Sequence, residues 1–346
     1  MASFKEETPV NPNRRHFTAA SSVAVLVATL PGTSRAQQEE LKLATFVPPT
    51  HYGLTQILVP WGKEIAERSG GRLNLRVFPS MQLGGKPPEL YKQMVRGLSD
   101  ITFTLPGYTS ADFPLMSLSE LPGMASSSDE GTRKIWQHMK FFTDGEMKES
   151  KPLVIWTGDA AAVMTRSKAV RRLEDMKGMK IRTPSSAQSE QLIALGATPI
   201  DMPAGQIYNS IERGVVDGAL ISMAGAIDFK LLEVCRYFTI DVPVGRSPFT
   251  VNMNLARYQK LPADLRQIID QTTGLEISLK AARNIQKHSD DAVAAAKRDK
   301  EVISLSADEQ RRWTAAFEPM IRAQVAAAEK PGIPARKFVT AYGLKV

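Results

Sequence analysis

The chain has 346 residues, which is enough for two ordinary domains with buried cores. Its composition, 43% hydrophobic and 23% charged residues, is globular, and its net charge of +8 comes from basic residues interleaved with acidic ones. We interpret that charge as a solvated surface and expect no nucleic-acid partner. Four scattered histidines and one cysteine form no metal, haem or iron–sulfur pattern, and the common nucleotide-binding and hydrolase motifs are missing. We therefore expect no cofactor and no catalysis.

The first 36 residues have the pattern of an export signal. Arg14 and Arg15 precede an apolar run that is too short to span a bilayer, and small residues lead up to Ala36. We predict a twin-arginine signal peptide over residues 1–36, with an ordinary secretory signal as the alternative. Both place the mature protein in the periplasm. Cys235 is the only cysteine and lies in an apolar context, so we expect a buried thiol and no intrachain disulfide.

The predicted elements after the signal alternate between strands and helices. The strands are at 41–46, 73–78 and 101–105, and the helices between them are at 58–68 and 88–98. This alternation predicts a mainly parallel sheet covered by helices.

A second unit of strands and helices follows the first. Its predicted strands are at 153–156, 162–165, 180–182 and 215–221, with a helix at 186–195 and a returning strand at 249–254. From residue 261 onward the pattern is helical, with segments at 264–279, to about 300, and at 307–329.

The segment Lys180-Ile-Arg-Thr-Pro184 carries the strongest candidate for ligand binding. The proline ends the predicted strand, so Arg182 lies at a carboxyl strand end, where ligands bind in open α/β sheets. The planar guanidinium can donate two parallel hydrogen bonds to a carboxylate. A surface ion pair is the alternative role for Arg182. Further along, Gly214 caps a helix that we expect to lead directly into a strand starting at Val215.

These motifs and others after residue 40 resemble the substrate-binding proteins of TRAP transporters (tripartite ATP-independent periplasmic transporters, the DctP-type family). The other matching segments are Leu43-Ala-Thr-Phe-Val-Pro-Pro-Thr-His51, Gln82-Leu-Gly-Gly85, Leu195-Gly-Ala-Thr-Pro199 and Leu261-Pro-Ala-Asp-Leu265. The resemblance implies an α/β, periplasmic-binding-protein-like fold of two lobes joined by hinge strands. It also implies a long helix spanning both lobes, for which residues 275–300 are the best candidate, and it gives Arg182 the role of holding the substrate carboxylate.

The chain is expected to cross between the lobes near residues 156–162 and 243–249, where hinge bending would close the lobes around a ligand. The predicted lobe I comprises residues 37–158 plus 246–286. The predicted lobe II comprises residues 159–245 plus 287–346.

The chain departs from the sialate- and dicarboxylate-binding relatives at three positions. Ala162 aligns with their second arginine, Ala204 with a pocket aromatic residue, and Ile221 with an amide. One arginine among apolar side chains fits a monocarboxylate with an apolar or aromatic body.

The remaining candidate ligand-binding residues lie in loops after strands or at the expected crossings. They are Thr50, His51, Tyr108, Trp156, Ile221, Ser222, Phe249 and Asn252. For the histidine and the aromatic residues, packing is the alternative role.

By the resemblance, the protein is an extracytoplasmic receptor that delivers an organic acid to a two-component, ion-gradient-driven permease. The resemblance leaves a monomer and a homodimer both open. Two alternatives use the same cleft: an exported lyase or isomerase, with His51, Asp159 or Tyr108 as the base, and a ligand-sensing partner of a membrane receptor.

Overall fold

The computed structural model describes residues 38–346, so the predicted signal peptide lies outside the described residues. The strands are β1 (Glu39–Thr45), β2 (Leu73–Phe78), β3 (Ile101–Thr104), β4 (Ser150–Thr157), β5 (Ala161–Thr165), β6 (Lys180–Thr183), β7 (Thr198–Asp201), β8 (Gly218–Ser222), β9 (Tyr237–Ile240), β10 (Pro248–Asn254) and β11 (Glu301–Ser304). The helices are α1 (Val59–Arg68), α2 (Leu90–Val95), α3 (Pro114–Leu118), α4 (Ser128–Gln137), α5 (Lys140–Thr143), α6 (Ser186–Ala194), α7 (Ile207–Glu212), α8 (Met223–Asp228), α9 (Leu231–Val234), α10 (Leu255–Lys260), α11 (Ala263–Thr272), α12 (Leu275–Ala296), α13 (Ala307–Glu329) and α14 (Ala335–Ala341).

The strands form two sheets, and the predicted α/β fold with two lobes is confirmed. The first sheet has the strand order β2-β1-β3-β10-β4, in which β1 pairs parallel with β2 and β3 while β10 runs antiparallel to its neighbours. The second sheet has the order β11-β9-β5-β8-β6-β7, with β6 parallel to both β7 and β8 and β5 antiparallel to β8 and β9. The chain therefore leaves the first sheet after β4 and returns to it at β10.

Helix α12 is the long helix expected to span both lobes, and it ends at Ala296. It packs against α4 and β4 on the side of the first sheet and against α8 on the side of the second. Two serines of α12 also form hydrogen bonds, one to β4 of the first sheet and one to α8, which follows a strand of the second sheet. Ser278 Oγ accepts the backbone N–H of Ile155 at 3.0 Å, and Ser289 Oγ accepts that of Ala224 at 2.9 Å. A single rigid helix thus contacts elements of both sheets.

The sequence-based bounds are wrong at two glycines. The segment expected to form one helix at 264–279 is two helices, because Gly274, at φ 103°, lies between α11 and α12 in a conformation that favours glycine. The strand expected from Val215 begins at Gly218 instead. Gly214 ends α7 at φ 71°, and the N–H groups of Val215 and Val216 turn back to the carbonyl of Ser210.

The two C-terminal helices, α13 and α14, pack against helices from earlier in the chain. Helix α13, predicted at 307–329, has those bounds, and it contacts α6 and α3. Helix α14 contacts α3 and contributes Phe338 to an apolar cluster with Phe113 and Phe142. Cys235 is buried, as expected. Among residues 38–346, no helix combines the length and the apolar character needed to cross a membrane.

Candidate functional site

A cavity lies between the two sheets, at the ends of strands from both. Its volume is about 60 Å³. Its walls are mostly apolar and come from loops that follow β1, β3, β6 and β8 and from helix α12. The apolar lining residues are Phe46, Leu105, Leu220, Ile221, Phe229, Phe249 and Ile285.

Arg182 lies at one end of this cavity and is only 2% exposed. Its Nε donates to the carbonyl of Met202 at 2.8 Å, and one terminal nitrogen donates to the carbonyl of Leu220 at 3.5 Å. Burial lowers the pKa of Arg182 below its usual 12.5, while the Tyr108 phenol and the charge of Asp201 oppose that shift. The guanidinium is therefore a buried cation whose hydrogen-bond acceptors, among residues 38–346, are uncharged.

Tyr108 stands beside the guanidinium, in the 3-10 turn that follows β3. Its hydroxyl accepts the backbone N–H of Ala204 at 3.0 Å, and its ring meets the edge of Phe46 at a centroid distance of 5.2 Å. Burial raises the pKa of Tyr108, and Arg182 acts in the opposite direction. Tyr108 thus stays a neutral phenol that can stack and hydrogen-bond.

His51 is a buried, neutral imidazole. Its Nδ1 accepts the backbone N–H of Gly53 at 3.0 Å, which leaves the proton on Nε2, 3.5 Å from Asp228 Oδ2. Burial lowers the pKa of His51 to about 4, against the charge of Asp228. The other oxygen of Asp228 lies 3.3 Å from His288 Nε2, and this contact raises the pKa of His288. Both carboxylate oxygens of Asp228 therefore already face a histidine nitrogen.

Asp159 follows β4 at the crossing between the sheets and is 3% exposed. Its Oδ2 accepts the hydroxyl of Ser289, whose own oxygen accepts the N–H of Ala224. Its Oδ1 has no hydrogen-bond partner among the described residues. Burial raises the pKa of Asp159 to about 7, and the neighbouring Ser222 hydroxyl opposes the shift.

The structure brings six of the nine predicted site residues to the cavity. They are Arg182, His51, Tyr108, Ile221, Ser222 and Phe249. Trp156 lies behind the wall, stacked on Phe249 at 5.0 Å and 13°, and its Nε1 donates to the Tyr52 hydroxyl at 2.8 Å. Asn252 is fully buried within β10, and Thr50 borders a separate surface depression.

Sequence reasoning missed several residues that line the cavity. Asp228 and Phe229 end helix α8, and Gln188 lies in the first turns of α6, where its amide donates to Ser247 Oγ at 2.9 Å. These residues reach the cavity only because α6 and α8 begin at the ends of neighbouring strands, β6 and β8. A polar residue in the first turn after a strand was the one pattern that could have indicated Gln188.

Comparisons with known proteins agree with this geometry. The model of the family described as bacterial extracellular solute-binding protein, family 7 (DctP), matches residues 43–328. A solute-binding protein of Albidiferax ferrireducens is 28% identical over 262 residues, which cover 72% of this chain and 75% of the relative.

Two solved structures share the fold closely. A TRAP solute-binding protein from Rhodoferax ferrireducens, in complex with copurified benzoate, is 29% identical with a TM-score of 0.84, covering 88% of this chain and 96% of that one. A marine metagenome TRAP solute-binding protein specific for aromatic acids, with 3-hydroxybenzoate, is 27% identical with a TM-score of 0.85, covering 88% and 97%. The chain belongs to family 7 of the bacterial extracellular solute-binding proteins.

Proposed function

We propose that the protein binds a small carboxylic acid with an aromatic or other apolar body and delivers it to a TRAP-type membrane permease. The observation that carries the proposal is the buried guanidinium of Arg182 at the end of an apolar cavity. A buried cation whose hydrogen bonds go to uncharged carbonyl groups is costly. A ligand carboxylate would supply the opposite charge and two parallel acceptors.

The cavity walls support an apolar ligand body. Phe46, Phe229 and Phe249 present ring surfaces, and Ile221 and Ala204 add aliphatic ones. The hydroxyl groups of a sugar acid would need several polar partners in this space, and each unpaired group costs free energy. Benzoate and 3-hydroxybenzoate in the two related structures are ligands of the proposed class.

The lobes would close over the ligand by bending at the two crossings, residues 158–160 and 241–247. Tyr108 from one lobe and Ala204 from the other already share a hydrogen bond at the cavity. A ligand that contacts both lobes shifts the balance between open and closed forms, which is the change a permease can recognise.

We further propose that the chain is exported by the twin-arginine route and acts in the periplasm without catalysing a reaction. Holding and releasing a carboxylate requires no general base. His51 already accepts a backbone N–H through Nδ1, the nitrogen a base would need.

A thermal-shift series tests this function in the mature protein. Benzoate, phenylacetate and branched aliphatic acids are compared with benzamide and benzyl alcohol, which keep the ring and lose the charge. A ligand at 100 times its dissociation constant adds about 2.7 kcal/mol to the unfolding free energy. We expect acids alone to raise the melting temperature, and equal stabilisation by the amide and alcohol would contradict the proposal.

A further inference from the structure

The cavity wall holds a second charged group besides Arg182, the carboxyl of Asp159. A terminal nitrogen of Arg182 reaches the carbonyl of Leu220 in β8, whereas Ala161, two residues after Asp159, pairs with Ser222 in the same strand. The guanidinium therefore lies beside Leu220, whereas the Asp159 carboxyl lies beyond Ser222, where Ser289 connects it to Ala224. Apolar side chains line the space between them.

One carboxylate oxygen of Asp159 accepts a hydrogen bond, and the other has no hydrogen-bond partner among the described residues. Ser289 Oγ accepts the N–H of Ala224, so its single proton is available for Asp159 Oδ2, which it contacts. Asp159 Oδ1 is buried and has no hydrogen-bond partner among residues 38–346. Leaving a buried acceptor unpaired costs free energy, which a donor on a ligand would recover.

The Ser222 hydroxyl lies beside the Asp159 carboxyl and opposes the rise in its pKa, but its oxygen accepts the N–H of Gly225 at 3.4 Å, and Asp159 Oδ1 has no partner among the described residues. The charged groups near Asp159 have partners of their own. Arg246, whose charge acts on Asp159, donates to the carbonyls of Gly158 and Ser126. Asp228 faces His51 and His288 through its two oxygens. Within residues 38–346, Asp159 Oδ1 is therefore a buried acceptor in the cavity wall that has no partner.

We infer that Asp159 Oδ1 accepts a hydrogen bond from a hydroxyl group on the ligand, at the end of the ring away from the carboxylate. The inference rests on the proposed function and narrows it to hydroxylated aromatic acids. A ring with a meta or para hydroxyl has a donor on the side away from its carboxylate. An ammonium group would bring three donors to one free acceptor and leave the others unpaired in an apolar space.

The test uses isothermal titration of the mature protein with matched ligands. The meta and para hydroxybenzoates are each compared with the methylbenzoate of the same pattern, which has similar size and no donor, and with benzoate. We expect at least one hydroxybenzoate to bind about tenfold or more tightly than its methyl analogue, because hydrogen bonds to charged groups are strong. Equal affinities in the wild type would overturn the inference.

Two variants assign the preference to Asp159. Asp159→Ala is expected to bring the ratio of hydroxy to methyl affinity to within about twofold. Asp201→Ala removes another aspartate bonded to a serine, Ser189, and the charge of Asp201 acts on Arg182. Both ligands of a pair meet Arg182 through the same carboxylate, so the wild-type ratio should remain. Because each ratio is taken within one protein, a general loss of affinity cancels.

The outcomes separate the two proposals. A hydroxyl preference that persists in Asp159→Ala overturns the inference, while benzoate binding still supports the proposed function. If Asp159→Ala does not fold, the ligand pairs in the wild type and in Asp201→Ala still decide whether the preference exists. Asp159→Ser, whose shorter side chain also lacks the carboxylate, is then the second variant. If no acid binds the wild type, the proposed function fails and the inference fails with it.

Discussion

The Tyr108 hydroxyl accepts a hydrogen bond from the backbone N–H of Ala204 across 3.0 Å. Tyr108 follows a strand of the first sheet, and Ala204 follows a strand of the second. The bond therefore joins the two lobes directly beside Arg182 and can exist only when the lobes are close. A ligand held at Arg182 would be covered by the same contact.

Removing this hydroxyl should weaken acid binding. Tyr108→Phe keeps the ring against Phe46 and deletes the bond to Ala204, so the closed form loses an interaction that contributes about 0.5–1.5 kcal/mol. We expect the dissociation constant for a bound acid to rise roughly two- to tenfold. Tyr208→Phe, which deletes an exposed hydrogen bond from a tyrosine hydroxyl to Glu233, is the control and should bind as the wild type does. Unchanged affinity in Tyr108→Phe would show that the bond does not stabilise the liganded form.

Glu120 should make the protein less stable as the pH rises. Its carboxyl is fully buried, accepts the hydroxyls of Ser185 and Ser247, and has a pKa raised by burial from 4.5 to about 7. A raised acid pKa gives stability that is fully present below about pH 4.5 and is lost as the pH rises through about 7.

The measurement is the unfolding free energy at about pH 5 and about pH 8 in the wild type and in Glu120→Gln. The raised pKa makes the unfolding free energy of the wild type at most about 3 kcal/mol lower at the higher pH. In Glu120→Gln this contribution to the pH dependence should be missing. Exposed Glu64, paired with Arg68, gives the control Glu64→Gln. A pH dependence that Glu120→Gln leaves unchanged would mean that another buried carboxyl, such as Glu146, is responsible.

Helix α12 should depend on Ser278 for its attachment to the first sheet. Ser278→Ala removes the acceptor of the buried Ile155 N–H, which lies on the outer side of the edge strand β4. Leaving that donor unpaired costs about 1–3 kcal/mol. Differential scanning calorimetry should show a lower melting temperature than in Thr314→Ala, which deletes an exposed hydroxyl bond within a helix. Equal melting temperatures would contradict this role for Ser278.

The hydroxyl preference assigned to Asp159 should increase with pH. Its pKa of about 7 means that the carboxyl gains a proton below neutrality, and Oδ2 already accepts from Ser289, so the proton would occupy Oδ1. The charge of Arg246 favours the ionised form, and Tyr52 and His288 are the other titratable groups whose pKa values Asp159 affects.

We therefore expect the ratio of hydroxybenzoate to methylbenzoate affinity to be larger at about pH 8 than at about pH 6. Titrations of the same ligand pairs at both pH values measure it. A ratio that is independent of pH, or that falls as the pH rises, would contradict an ionised Asp159 as the acceptor.

Local patterns predicted most of the elements and the position of Arg182 at the cavity. Arg182 could be placed because Pro184 ends the short strand Lys180–Thr183 that carries it. The strand expected at Val215 was wrong because two valines favour a strand, whereas the turn after Gly214 satisfies their N–H groups first. The four-residue strands β7, β9 and β11 went unnoticed, since such short runs show little periodicity.

The rest of the cavity depends on contacts between distant segments. Asp159, Asp228 and Ser289 come together only through the pairing of β5 with β8 and the packing of α12 on α8. The spacing of these residues along the chain does not predict that they lie close together. Trp156 was expected near the ligand because it lies at a crossing, but strand alternation and its bond to Tyr52 place it one layer behind Phe249.

The central claim is that Arg182 holds the ligand carboxylate, and the most direct measurement is the dissociation constant of a bound acid for Arg182→Met. Arg166→Met is the matched control, because Arg166 also donates to two backbone carbonyls, those of Ile211 and Glu212, but is exposed and outside the cavity. Arg182→Lys, which keeps the charge without the paired donors, completes the set. We predict that Arg182→Met weakens binding at least about a hundredfold while Arg166→Met does not. A folded Arg182→Met protein that binds the acid as tightly as the wild type would contradict the claim.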